Sequence, residues 1–172
     1  GSDPVSGVEF TLDGVSQSTP YSASLVEGSH TVVMPSTWDI YDFDHWDDAS
    51  TDPSRTISLT SDTTVTAYYT VRRWTLSVQS DPISGIDFTV DGVTYATPWS
   101  GLLDEGSYTV VMPLTWTAGT GDVYQFNHWD DASTDPSRTI SLTSDTSVTA
   151  YYEYVPETYT LTVDSDPITA VE

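Results

Sequence analysis

The chain has 172 residues, a formal net charge of -22, four arginines, no lysine and no cysteine. That length holds one domain or two small ones, and the missing cysteine removes disulfides, cysteine-ligated zinc, iron–sulfur clusters and cysteine nucleophiles together. So acidic a chain offers no basic face for nucleic acid or for anionic lipid, and no apolar run approaches the roughly 18 residues of a membrane helix.

From the N-terminus onward the sequence repeats itself. Ser2-Asp3-Pro4 returns as Ser80-Asp81-Pro82 and again as Ser165-Asp166-Pro167. Thr31–Pro35 returns as Thr109–Pro113, and the run His45–Thr63 returns unchanged as His128–Thr146. The two copies agree at 51 of 69 aligned positions, so they must share a fold. One insertion, Thr117-Ala118-Gly119-Thr120-Gly121, separates them and reads as a longer hairpin loop. The first copy spans residues 1–71, the second 74–153, and residues 158–172 begin a third. The joins, Thr70–Arg73 and the stretch through Pro156, are short and are not Gly/Ser tethers.

The elements are clearest in the second copy. Leu76 and Val78 alternate with Thr75 and Ser77, as a half-buried strand requires. Ile86, Phe88 and Val90 form the next alternating run, and Asp91-Gly92 supplies the positive-φ pair of a tight hairpin into Val93–Tyr95. Glu105-Gly106 turns into Tyr108–Met112. Tyr124 and Phe126 lead to Trp129, Ile140 and Leu142 mark a further strand, and Val148, Ala150 and Tyr152 close the copy. No helical period of 3.6 appears. The expected fold is all-β: two tandem Ig-like β-sandwich modules of about seven strands each, plus one extra C-terminal strand.

That extra strand is Tyr159, Leu161 and Val163, alternating with Thr160 and Thr162. It matches Leu76–Val78 of the second copy, and the first copy has no such strand ahead of Ser2. The chain starts and stops at one phase of the repeat. It reads either as a window on a longer array or as a subunit that adds its tail strand to the first copy of an identical chain, head to tail.

The stretch Val8–Met34 (FTLDG, STP, EGSHTV) and its counterpart Ile86–Met112 resemble the PEGA domain, a small β-module of bacterial and archaeal surface proteins. Phe43–Tyr69, with its F-x-x-W, DDAS and DPSRTISL segments and its closing Thr-x-Ala-x-aromatic strand, resembles internalin B-repeat-like surface repeats. Asp48-Ala49 departs from the Gly common there, so a different turn is expected. The resemblance implies an extracellular or cell-surface stalk, spacer or adhesive array, and brings no catalytic residues.

Candidate sites follow from residue chemistry. Asp47, Asp48 and Asp52, repeated as Asp130, Asp131 and Asp135, offer the clustered carboxylates that calcium takes; the structural reading is Asx turns with Arg55 and Arg138 as counter-charges. Calcium is the one cofactor considered. Trp38, Trp99 and Trp116 stand beside prolines or in loops, where an exposed ring would stack on a glycan. Trp46 and Trp129, in F-x-x-W, are expected in the core. His45 and His128 are read as structural. No Ser/His/Asp set or G-x-S-x-G elbow appears. Lys–Asn isopeptides are excluded without lysine, Thr–Gln esters find no repeated glutamine, and the single asparagine, Asn127, lies in no N-glycosylation sequon. The sequence reads as a non-catalytic structural array. A calcium-supported or glycan-binding adhesin is the alternative.

Overall fold

The computed structural model describes residues 1–164. All the regular secondary structure described is β. The first repeat contains β1 (Ser2–Asp3), β2 (Glu9–Leu12), β3 (Val15–Ser18), β4 (Gly28–Val33), β5 (Thr37–Trp38), β6 (Tyr41–Trp46), β7 (Ser54–Leu59) and β8 (Ala67–Val71). They form two four-stranded sheets, ordered β1-β8-β6-β5 and β3-β2-β4-β7. The second repeat contains β9 (Arg73–Asp81), β10 (Asp87–Val90), β11 (Val93–Ala96), β12 (Trp99–Asp104), β13 (Gly106–Val111), β14 (Thr115–Thr117), β15 (Val123–Trp129), β16 (Ser137–Leu142) and β17 (Thr146–Val155). Its sheets run β11-β10-β13-β16 and β12-β9-β17-β15-β14. Each sheet draws its strands from a single repeat. The described strands number eight and nine, against about seven expected, because short strands at Trp38 and Trp116 and the edge strand β12 lack a strong alternating signature.

The hairpins form where Asp-Gly permits them. Asp13 and Gly14 take φ values of 51° and 81°, Asp91 and Gly92 values of 47° and 81°. Two-residue turns then close the pairs Leu12↔Val15 and Val90↔Val93. The insertion makes the β14–β15 loop, closed by the Ala118 N–H on the Asp122 carbonyl at 2.8 Å.

Inward residues of the two sheets meet in one core. In the first repeat Val8, Phe10, Val32 and Met34 face Trp46, Ala67 and Tyr69. The Phe-x-x-Trp spacing should point the two rings to opposite faces of a regular strand, since side chains alternate. A bulge between Phe43 and His45, repeated between Phe126 and His128, shifts the register and turns both rings inward. Phe43 and Trp46 meet edge to face with centroids 5.7 Å apart, as do Phe126 and Trp129. The Trp46 and Trp129 indole N–H groups donate to the Asp52 and Asp135 carbonyls at 2.8 and 2.9 Å. The Tyr69 hydroxyl donates to the Pro35 carbonyl at 2.9 Å, and burial pushes its pKa up to about 12.

β8 extends to Val71 and β9 begins at Arg73, so Arg72 alone separates them. By contact density the chain forms two compact units. One comprises Gly1–Ser77, Ser100–Tyr108 and Thr139–Thr146; the other comprises the remaining described residues. The tail strand sequence Tyr159–Val163 joins no sheet among the described residues, and its three apolar side chains are at least 84% exposed. The expected start of a third repeat at Ser165 lies outside the described residues.

Candidate functional site: a groove in the first repeat

The acidic loops are tied down by their own repeat. Asp48 Oδ1 accepts from the Ser50 backbone N–H at 3.0 Å and from its hydroxyl at 2.6 Å, and Asp52 accepts from the Ser54 N–H at 2.8 Å. Asp131 and Asp135 do the same with Ser133 and Ser137. Arg55 donates to Asp47 and lies 3.0 Å from Asp48, while its guanidinium covers the Trp46 ring at 5.5 Å. Arg138 holds Asp130, Asp131 and Trp129 alike. The serine hydrogen bonds, then the arginine charge, hold Asp48 and Asp131 below the usual carboxylate range. Among the described residues no three His, Asp or Glu side chains converge as a metal site would require.

The three loop tryptophans are half-buried. Trp38 packs against the first core. Trp99 starts β12 and lies 4.5 Å from the Tyr95 ring and 6.1 Å from Phe88. Trp116 sits in β14, opposite Tyr124. His45 and His128 stack on Tyr68 and Tyr151 at 4.9 Å. Arg72 and Arg73 are paired as well: Arg72 with Glu105 at 2.8 Å, Arg73 with Asp104 at 2.7 Å, all within the first compact unit.

The larger feature is a difference between two nearly identical repeats. In the second, β9 lies between β12 and β17, with Leu76 and Val78 fully buried. In the first, among the described residues, Gly1 to Asp3 occupy that line: Ser2 and Asp3 pair in parallel with Ala67 and Tyr68, and Gly1 hydrogen-bonds Val65 and Ala67. Ahead of them opens a groove of about 1070 Å³, lined by Phe10, Leu12, Met34, Trp46, Ile57 and Val65. Leu12, Ile57, Leu59 and Val65 are only half-buried, whereas their counterparts Val90, Ile140, Leu142 and Val148 are at most 5% exposed. Two neighbouring segments lose their strand form. Residues 21–26 are irregular where the second repeat has β12, and Thr63–Thr66 are irregular where β17 has begun.

Polar partners are missing in the same place. In the second repeat the Thr75 N–H donates to Asp145 at 2.7 Å, the Ser77 and Ser100 hydroxyls meet at 3.1 Å, and the Trp74 indole N–H donates to Glu105 at 3.1 Å. Their counterparts in the first repeat, Asp62, Ser22 and Glu27, have no such partners among the described residues.

One rim of the groove is pinned by His30. Its Nδ1 lies 2.7 Å from Asp13 and its Nε2 2.8 Å from the Val26 carbonyl. Both neighbours are acceptors, so the doubly protonated ring fits best. The Asp13 hydrogen bond, then the Val26 carbonyl, raise the His30 pKa, and His30 in turn lowers that of Asp13. In the second repeat Tyr108 does this without charge, donating to the Asp104 carbonyl at 2.8 Å. Sequence reasoning passed over His30, Asp62 and the groove lining; the signal was His30 standing where its twin carries Tyr108. An apolar trough lies beside an open strand edge. It offers what an extended strand needs: backbone partners and pockets for alternate side chains.

No family model and no curated protein sequence matches the chain. Two solved structures resemble it. One is the crystal structure of GBS52, the minor pilin of the Gram-positive pathogen Streptococcus agalactiae. It is 13% identical over 93% of this chain and 88% of that one, with a TM-score of 0.31. The other is domains 3-4 of the Streptococcal High Identity Repeats in Tandem (SHIRT) of a cell surface protein. It is 16% identical over 90% and 82%, with a TM-score of 0.28. Likenesses of this size leave the fold to rest on the sheets themselves.

Proposed function

We propose that the chain is a non-catalytic structural segment of an extracellular or cell-surface protein, a run of repeats that serves as stalk, spacer or array component. The observation that carries this reading is how the polar loops are used. All four arginines and both core tryptophans bind residues of the fold itself. The acidic loops are then structural turns, and the net charge of -22 keeps a surface-rich array soluble and self-repelling. The resemblance to PEGA-like and internalin B-repeat-like modules supports the same role.

The test is to join the second repeat, residues 73–155, into arrays of increasing copy number and follow their size by X-ray scattering. A spacer gains a constant length with each added copy. Arrays that grow only as the cube root of copy number are compact, and that result would sink the reading.

A further inference from the structure

We infer that Arg72 is a clamp through which the second repeat supports the folding of the first. It is the single residue between β8 and β9, and its partners all lie in the first compact unit. Its backbone already serves both repeats: the N–H donates to the Ile40 carbonyl at 2.8 Å, and the carbonyl accepts from the Glu105 N–H at 2.7 Å. The side chain repeats that division. Nε and Nη2 donate to the two Glu105 carboxylate oxygens at 2.8 and 3.1 Å, the paired geometry in which guanidinium–carboxylate contacts are strongest. Nη2 also donates to the Asp39 carbonyl, and Nη1 reaches Asp42 at 3.5 Å. Asp39 and Ile40 form the β5–β6 turn and Asp42 lies in β6, whereas Glu105 joins β12 to β13 in the second repeat.

Burial separates this contact from an ordinary surface pair. The Arg72 and Glu105 side chains are 23% and 16% exposed, against 56% and 50% for the adjacent Arg73 and Asp104, which are joined by one ion pair. Exposed pairs of the second kind contribute little. Removing one partner of the first kind leaves a half-buried charge short of its counter-charge. Glu105 also accepts from the Trp74 indole N–H at 3.1 Å, and that bond, then Arg72, keep its carboxyl below the usual range. The carboxylate is thus fixed by β9 as well as by Arg72. Arg72 in turn directly follows β8, which pairs with both β1 and β6. A group rooted in the second repeat therefore bears on an inner strand of the first. Stacked repeats stabilise one another through such nearest-neighbour contacts, and here one side chain carries the contact.

Amide exchange on the 172-residue protein tests this, with Arg72→Gln, Glu105→Gln and the two combined. Gln at position 105 keeps an acceptor for Trp74 and removes the charge. The expected result is exchange about tenfold faster along β8 in each single variant, the scale of one charge-assisted hydrogen bond. The double variant shows no further acceleration, because the two residues act as one contact. Exchange in β10 of the second repeat stays at the wild-type rate in Glu105→Gln, and Arg73→Gln leaves both strands unchanged. Wild-type exchange along β8 in Glu105→Gln overturns the proposal, and so do effects that add in the double variant. Faster exchange in β10 as well would mean that Glu105 serves its own repeat, and the clamp then falls. Each of these failures leaves the spacer reading standing, because scattering from arrays of the second repeat tests that separately.

Discussion

At the scale of single residues, the two repeats act as controls for each other. His30 donates from both ring nitrogens only when charged, and its raised pKa fixes the sign of a pH effect. Its contribution is complete below the ordinary histidine value of 6.5 and is lost as pH rises through the raised one. Asp13, Asp48 and Asp131 titrate the other way: their contribution is present above about 3.8 and lost as pH falls through their lowered values. Calorimetry should therefore show the first repeat melting higher near pH ~5 than near pH ~8, where histidine is neutral. His30→Tyr, which copies Tyr108, removes that difference. A second residue prediction concerns the turn where Gly was the common residue. Ala49 and Ala132 both sit at φ 65°, in the left-handed region. That conformation costs an L-residue about 1–2 kcal/mol, while Gly loses about 0.5–1 kcal/mol of backbone entropy on folding. Ala49→Gly and Ala132→Gly should each stabilise by up to about 1 kcal/mol in denaturant titrations, and a loss would show that the Ala methyl groups make contacts that outweigh the strain.

At the scale of elements, what was legible depended on periodicity. Strands with clean alternation, such as Asp87–Val90 and the run ending at Tyr152, and the Asp-Gly hairpins could be read directly. The bulge could not, because period-2 reasoning has no place for an extra residue; only the odd Phe-x-x-Trp spacing hinted at it. The edge strand β12 and its irregular counterpart at residues 21–26 share Ser and Leu positions. β12 pairs with β9 and residues 21–26 have no such neighbour among the described residues, so tertiary pairing acts beside the local sequence. The candidate loops were legible as acidic, but which carboxylate served which partner depended on Arg55 and Arg138 reaching back across eight residues. That pairing leads to a loop prediction. Calcium at about millimolar level, the range of weak extracellular sites, should leave the melting temperature of the chelated protein unchanged. A rise of several degrees, lost in Asp48→Asn and Asp131→Asn, would turn these turns into ligand loops.

At the scale of the whole molecule, near-identity of sequence does not give equal stability. The second repeat buries Leu76 and Val78 completely, and among the described residues none stands in their place in the first. Burying two such side chains is worth about 3–6 kcal/mol, an upper figure because the unfolded chain already hides part of that surface. The irregular segment at residues 63–66, which is strand in the second repeat, adds to the deficit. The protein should therefore unfold in two steps instead of one. The first repeat should open earlier, with faster amide exchange at Gly28–Val33 than at Gly106–Val111, which occupy the same place in the fold. Charge acts on both steps in the same direction, because a net charge of -22 repels itself in the compact state. Raising salt to about 1 M shortens the screening length to ~3 Å. It should lift both melting temperatures. Equal exchange rates in β4 and β13 would mean that the groove costs the first repeat nothing, and the difference between the repeats would then lie in how each unfolds.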